Sequence, residues 1–305
     1  MGVCHGAISR PLFHKYSNQF FFTDANTGYI VGDTGIIRKT TNGGMNWTVQ
    51  TGGSAYNTFN SVFFTGTYNG FIAGNGVLLK TTNGGTNWNT QTVPPLNIMQ
   101  CSLSSVFFAN SNTGYAVGGK YGNAKVYGLI LKTTNGGIFW SPDTLKYTSD
   151  LNSVFFVNAD TGYITGRIDS TKGLGFQQYA VVLKTTNGGS TWSKEYVVAD
   201  QYVNSIWFTN DFTGYLTSGE GIRKTTDGGK NWSIQTTGYY NPASAFFFLD
   251  SKTGFAVGES GNIFKYHPVP SNPKLCMVLY DSISEKNKIV WEKQLSTGIL
   301  YYKLY

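Results

Sequence analysis

The sequence predicts an all-β protein: a β-propeller of six four-stranded blades, followed by a partial β-sandwich tail. Three observations carry that prediction. A Lys-Thr-Thr-Asn-Gly-Gly string recurs at intervals of roughly 40 to 50 residues. Short apolar runs rich in Phe, Val, Ile and Tyr alternate with glycine-containing turns. A chain of 305 residues with 38 glycines, 16% aromatic and 13% charged residues has the composition of many short packed strands. Seven blades, one of them missing or incomplete, is the alternative count.

The turn is complete in five copies. KTTNGGMNW at 39–47 holds Asn42, Gly43, Gly44 and Trp47, and KTTNGGTNW at 80–88 holds Asn83, Gly84, Gly85 and Trp88. KTTNGGIFW at 132–140 holds Asn135, Gly136, Gly137 and Trp140, and KTTNGGSTW at 184–192 holds Asn187, Gly188, Gly189 and Trp192. KTTDGGKNW at 224–232 holds Asp227, Gly228, Gly229 and Trp232. A degraded sixth copy ends at Phe264, Lys265 and Tyr266, and successive motif lysines lie 41, 52, 52, 40 and 41 positions apart. A second motif precedes each turn, as in TGYIVG from Thr27 and NGFIAG from Asn69, with an apolar run such as NSVFF upstream of it.

One unit therefore reads strand, turn, strand, turn, strand, Asn-Gly-Gly turn, strand. Such a four-stranded unit cannot cover both of its faces alone, and radial stacking of units solves the problem while leaving only short edges. The two intervals of 52 place their extra residues between the second and third strands, within 119–128 and 167–179. Inserts on neighbouring blades project from one rim, which makes Lys120, Tyr121, Asn123, Lys125, Arg167, Asp169, Lys172 and Phe176 the candidate binding residues.

The turn itself reads as a folding device. Asn and Asp both accept hydrogen bonds from nearby backbone amides, the glycines take positive φ at little cost, and the Trp packs over the turn as an apolar plug. The string 81–88 resembles the Asp-box hairpin of sialidases, Ser/Thr-x-Asp-x-Gly-x-x-Trp. Over residues 19–267 the whole unit resembles the propeller repeat of the photosystem II stability/assembly factor family. That resemblance implies a non-catalytic propeller acting on a protein client through an arginine-rich patch, and this chain has only Arg10, Arg38, Arg167 and Arg223. The sialidase resemblance implies three arginines clamping a carboxylate, a tyrosine nucleophile with a glutamate, and an acid/base aspartate. Arg38 and Arg223 share one repeat position where other blades have leucine, so that constellation is not predicted.

No other catalytic, cofactor or metal site is predicted. His5, His14 and His267 lie outside the regular repeats, and Cys4, Cys101 and Cys276 form neither a CxxC pair nor a disulfide framework. No glycine pattern of a nucleotide-binding loop occurs. Acidic residues such as Asp24, Asp160, Asp211 and Asp250 recur just before the Thr-Gly pair, which predicts turn capping by these side chains. The net charge of +7 is carried mainly by scattered lysines, which argues against nucleic acid. The recurring lysines Lys39, Lys80, Lys132, Lys184, Lys224 and Lys265 are expected to snorkel to the blade edge rather than form an anion-binding ring. No run approaches the ~20 apolar residues of a membrane span.

The repeats are expected to fill residues 1–267. A proline-rich linker follows at 268–273, and the tail at 274–305 resembles the opening strands of a fibronectin type III-like sandwich, with Trp291 as its core residue. The sixth copy lacks its Trp-bearing strand, for which residues 6–15 are the only upstream candidates. The tail is read as a truncated domain or as strands that pack elsewhere, and the whole as a partial gene product without a signal peptide. The expected function is a monomeric, non-catalytic binding or scaffold propeller for a protein or glycan partner. Repeats followed by such a tail resemble proteins exported by type IX secretion, which implies an extracellular or cell-surface bacterial protein. A membrane-complex assembly factor and a sialidase-type enzyme are the rivals.

Overall fold

The computed structural model describes residues 17–122, 126–145, 147–170, 177–198, 203–235, 243–250, 253–258, 263–267, 274–281, 286–291 and 300–303. The described residues form a β-propeller with no α-helix, and the chain divides into two compact units, Met1–Val154 and Phe155–Tyr305.

The first unit holds three antiparallel four-stranded sheets, each a meander. The first comprises β1 (Ser17–Phe22), β2 (Gly28–Gly32), β3 (Ile37–Thr40) and β4 (Thr48–Val49). The second comprises β5 (Phe59–Phe64), β6 (Gly70–Gly74), β7 (Val77–Thr81) and β8 (Asn89–Thr90). The third comprises β9 (Cys101–Phe108), β10 (Gly114–Tyr121), β11 (Val126–Thr133) and β12 (Ser141–Leu145). Strand β6 is buried along its whole length because the first and third sheets pack on its two faces, so the inside/outside alternation of a one-sided sheet is absent, and β2 is buried throughout as well. The outer strands β4 and β8 are exposed and only two residues long, which leaves little edge for mispairing.

The core of this unit lies between sheets. Tyr29, Ile37, Phe59, Val62, Phe64 and Trp88 join the first blade to the second, and Phe71, Leu103, Phe108, Leu131 and Trp140 join the second to the third. Burying each such side chain contributes about 1.5–3 kcal/mol. The geometry repeats: Phe64 stacks on Tyr29 of the preceding blade at 4.0 Å and takes Trp88 edge-on at 5.8 Å. Phe108 stacks on Phe71 at 4.3 Å and takes Trp140 edge-on at 5.8 Å. The glycine of the motif that opens the second strand, Gly70 of Asn69-Gly70-Phe71 in the second blade, makes room for Phe64, since a Cβ on it would lie 2.5 Å from Phe64 Cε1. Inner strands are also tied by side chains, with Val62 N donating to Gln19 Oε1 at 2.6 Å and Val106 N to Ser61 Oγ at 3.0 Å.

The second unit contains two more four-stranded blades. One is β13 (Leu151–Phe156, which straddles the boundary), β14 (Gly162–Ser170), β15 (Gln177–Thr185) and β16 (Ser193–Val198). The next is β17 (Val203–Phe208), β18 (Gly214–Ser218), β19 (Gly221–Thr225) and β20 (Ser233–Gln235). Phe208 stacks on Tyr163 at 4.0 Å and takes Trp232 edge-on at 5.9 Å, the arrangement of the first unit.

The blade count corrects the expectation of six four-stranded blades. Among the described residues there are five, and the sixth copy belongs to a six-stranded sheet of β21 (Ala243–Asp250), β22 (Thr253–Gly258), β23 (Ile263–His267), β24 (Lys274–Asp281), β25 (Lys286–Trp291) and β26 (Leu300–Lys303). Its physical reason is the lost Asn-Gly-Gly turn and Trp strand, which would leave the outer edge of β23 unpaired. The tail fills that edge: Ile263 pairs with Val278, Lys265 with Cys276 and His267 with Lys274. The tail strands thus continue this sheet instead of opening a separate sandwich. Residues 6–15 and 268–273 lie outside the described residues.

Candidate functional site

Two places could carry function: the repeated turn, with its cluster of polar groups, and the loop end on which the insertions sit. At the turn, Thr40 Oγ1 donates to Asn42 Oδ1 at 2.9 Å and accepts from Gly44 N at 2.9 Å, while Asn46 N donates to Asn42 Oδ1 at 2.9 Å. The same three bonds recur around Thr81 and Asn83, Thr133 and Asn135, Thr185 and Asn187, and Thr225 and Asp227. Both glycines sit at positive φ in all five copies, +65° at Gly84 and +81° at Gly85 for example. In the fifth copy the carboxyl of Asp227 is held down to about 2, first by the Asn231 backbone amide, then by the Asn231 carboxamide and the Thr225 hydroxyl.

The first glycine of the turn joins blades. Gly84 N donates to Tyr68 O of its own blade at 2.9 Å, and Gly84 O accepts from Tyr29 Oη at 2.8 Å and Lys39 Nζ at 2.7 Å of the preceding blade. Lys80 Nζ donates in the same way to Gly136 O at 2.7 Å, with Phe71 standing where Tyr29 stood. In the second unit Tyr163 Oη and Lys184 Nζ each donate to Gly228 O at 2.8 Å. Each of these lysines lies over the aromatic ring of its cross-strand partner, Lys39 over Tyr29 at 5.5 Å and Lys184 over Tyr163 at 5.3 Å. Burial raises the Tyr29 phenol to about 12, with a smaller contribution from Asp24, and burial lowers the Lys80 ammonium.

Lys39, Lys80 and Lys184 therefore neither snorkel to an edge nor form a free cationic ring: they staple consecutive blades. Sequence reasoning missed this, although a signal was present. Tyr29 with Lys39, Phe71 with Lys80, Tyr115 with Lys132, Tyr163 with Lys184 and Tyr215 with Lys224 are directly opposed across β-strands. An aromatic and a lysine recurring together in every copy mark a coupled pair.

Capping before the Thr-Gly pair also differs in detail. Asp24 Oδ1 accepts from Asn26 N and Thr27 N at 2.8 Å, as expected. The equivalent caps are Asn158 and Asn210, however, rather than Asp160 and Asp211. Only the side chain three positions before the Thr reaches both amides. Asp160 contributes its carbonyl to Gly188 N, and Asp211 accepts from Asn158 Nδ2 at 3.1 Å. Arg223 pairs with Glu220 at 2.6 Å, which makes it a local ion-pair residue.

At the opposite end, the hairpins between second and third strands of the first two blades are tied to the chain entering the next blade. Gly35 N donates to Asn57 O and Gly76 N to Cys101 O, both at 2.7 Å. The inserts lengthen two hairpins: β10 and β11 run eight residues each and β14 and β15 nine, against five for β6 and β7. Lys120 is half-buried and pairs with Tyr127, and Tyr121 stands at the end of β10, 52% exposed. Arg167 pairs with Ala180 and Asp169 with Gln178 in the other hairpin. Asn123, Lys125, Lys172 and Phe176 lie outside the described residues. Two neighbours on this end of the first unit were not foreseen, Tyr56 at 98% and Met99 at 82% exposure. A shallow cavity of about 460 Å³ lies against the apolar connection containing Val93, Leu96 and Ile98. Among the described residues, no group of His, Cys, Asp and Glu is placed to hold a metal, and no helix is long and apolar enough to cross a membrane.

Comparison with known proteins gives a fold and a type of repeat. Residues 13–96, the span of the first two blades, match the family model described as photosynthesis system II assembly factor YCF48. No curated protein matches the sequence. Among solved structures, an ancestral GH74 enzyme superposes with a TM-score of 0.64 at 17% identity, covering 94% of this chain and 46% of that one. The WD40 β-propeller domain of Doa1 gives 0.62 at 11% identity, covering 90% and 88%. A structure of YCF48 bound to D1 peptide gives 0.48 at 16% identity, covering 83% and 94%. The chain is thus a β-propeller whose first two blades are similar to the repeat of the photosystem II assembly factor.

Proposed function

Taking a propeller with assembly-factor-like repeats as the premise, we propose that this protein is a non-catalytic binding scaffold whose partner is another protein. The observation that carries the reading is the division of labour between the two ends of the first unit. At the turn end, the polar groups that recur are consumed by the scaffold: Thr and Asn close the turn, while Lys39, Lys80 and Tyr29 hold the next blade. Large exposed apolar side chains stand at both ends, Met45, Tyr68, Ile138 and Phe139 in the turns and Tyr56, Met99 and Tyr121 at the loop end, where the hairpin of the third blade is also lengthened to two eight-residue strands. Exposed apolar groups on a rigid frame favour association with a partner surface. Lys120 beside Tyr121 adds positive charge, which suits a partner with acidic residues at its rim.

The test compares two variants in partner capture from the source organism, followed by quantitative binding to the captured protein. Tyr56→Ser with Met99→Ser and Tyr121→Ser is expected to lower affinity at least tenfold. Ile138→Thr with Phe139→Asn, which gives the exposed turn of the third blade the polar residues of the second, is expected to leave affinity unchanged. Retained affinity in the first variant, or loss confined to the second, refutes the loop end as the binding surface. Hydrolysis of a fluorogenic sialoside or a β-glucan by the pure protein would refute the non-catalytic reading.

A further inference from the structure

The five turns hold an internal chemical comparison. Four of them share the string Thr-Asn-Gly-Gly, at 41–44, 82–85, 134–137 and 186–189, and the fifth reads Thr-Asp-Gly-Gly at 226–229. Asn followed by Gly is the pair most open to spontaneous deamidation, because no side chain screens the glycine nitrogen. With the local string identical in four places, the intrinsic chemistry is matched. Differences in rate within the folded protein then report what each blade does to its turn.

We propose that Asn42 is a spontaneous deamidation site of the folded protein, and that the fold shields Asn83 and Asn135. In the reaction Gly43 N gives up its proton and bonds to Asn42 Cγ, the bond from Cγ to Nδ2 breaks, and ammonia leaves. Water then opens the resulting succinimide at one of its two carbonyls. Opening at the carbonyl that came from Cγ leaves an aspartate at position 42, and opening at the main-chain one gives isoaspartate. Water is the only co-reactant, and no electrons are exchanged.

In every copy the attacking nitrogen is first occupied. Gly43 N donates to Asn26 O at 2.8 Å, Gly84 N to Tyr68 O at 2.9 Å and Gly136 N to Asn112 O at 2.8 Å. The asparagine Oδ1 is held as well, by the Thr hydroxyl and a backbone amide. Reaction therefore needs the turn to open, and local opening is easiest where burial and tertiary bonds are fewest. Gly84 is buried and its carbonyl takes two donors from the preceding blade, while Gly136 is half-buried and takes Lys80. Gly43 is exposed. The plug repeats the order, Trp47 half-buried against Trp88 and Trp140 buried, while the asparagines run the other way, Asn42 half-buried and Asn83 and Asn135 exposed, so the shielding acts on the attacking glycine nitrogen and not on the amide carbon.

The two products differ in consequence. An aspartate in place of Asn42 fits, because Asp227 makes the same bonds to its turn in the fifth blade. Isoaspartate adds a methylene to the main chain and takes Gly43 N out of reach of Asn26 O.

The experiment incubates the full-length protein at mildly alkaline pH with and without guanidinium, then follows amide-to-acid conversion at each asparagine by peptide mass spectrometry. In the folded protein Asn42 is expected to convert several-fold faster than Asn83 and Asn135, and in guanidinium the rates converge. Equal folded rates, or earlier conversion at Asn83 or Asn135, overturn the assignment. Lys39→Met removes one donor from Gly84 O and is expected to raise the rate at Asn83 without changing Asn135; an unchanged Asn83 rate overturns the shielding by the staple.

Discussion

Replacing Gly85 by Ala separates the two reasons why the turn needs glycine. The backbone at Gly85 has φ +81°, and that at Gly84 has φ +65°. An L-residue in this left-handed region costs about 1–2 kcal/mol at either position. The surroundings differ. A Cβ on Gly84 would meet Thr67 O at 3.3 Å and Lys39 Nζ at 3.6 Å, tight but tolerable contacts. A Cβ on Gly85 would lie 2.9 Å from Tyr29 Cε1, and that ring is stacked on Phe64 at 4.0 Å with its hydroxyl bonded to Gly84 O. The ring cannot withdraw without breaking both, so overpacking adds about 1–3 kcal/mol. Gly84→Ala is therefore expected to destabilise by about 1–2 kcal/mol and Gly85→Ala by about 2–5 kcal/mol. Equilibrium urea unfolding followed by tryptophan fluorescence measures both. Equal losses, or a greater loss at Gly84, would refute the argument that the second glycine is required by the neighbouring blade.

Two other predictions concern the plug and the lone aspartate. Trp140 is fully buried against Phe71 and Phe108, so Trp140→Ala is expected to cost about 3–5 kcal/mol. Trp47 is half-buried, so Trp47→Ala should cost clearly less in the same urea titration; equal losses would contradict the burial order. The carboxyl of Asp227 lies below its ordinary value of 3.8, so it contributes stability above that pH and loses it as pH falls toward about 2. Asp227→Asn keeps the turn bonds of the other four blades but removes the titration. The stability difference between wild type and this variant should shrink as pH falls from about 4 to about 2, and a constant difference would refute the assignment.

Local chemistry was legible in the sequence and contacts between repeats were not. The turn could be read because each of its parts acts within nine residues: Thr81 and Asn83 close it, Gly84 and Gly85 turn it, and Trp88 covers it. The aromatic strands were readable for the same reason. The lysines were misread because their acceptors lie in the following repeat: Lys39 is 45 residues from Gly84. Asp160 and Asp211 were misread because an aspartate looks like a cap wherever it falls, whereas the geometry admits only the side chain two residues ahead of the first amide, Asn158 or Asn210. The sixth sheet departs from the pattern where the sequence had already lost its turn, and an apolar run in the tail supplied the partner for the open edge. At the loop end, the exposure of Tyr121 follows from its insertion, whereas Tyr56 and Met99 sit in connections of ordinary length with nothing to single them out.

If the repeated polar groups exist to hold blade to blade, Tyr29 and Lys39 must be coupled through the single carbonyl they share. A double-mutant cycle of Tyr29→Phe and Lys39→Met in urea unfolding measures that coupling directly. Each single change leaves Gly84 O with one donor, whereas the double change leaves a carbonyl on a buried residue without either. The expected result is a double variant that loses more than the sum of the singles by about 1 kcal/mol or more. Additive losses, or single variants as stable as the wild type, would show that these side chains do not staple the blades.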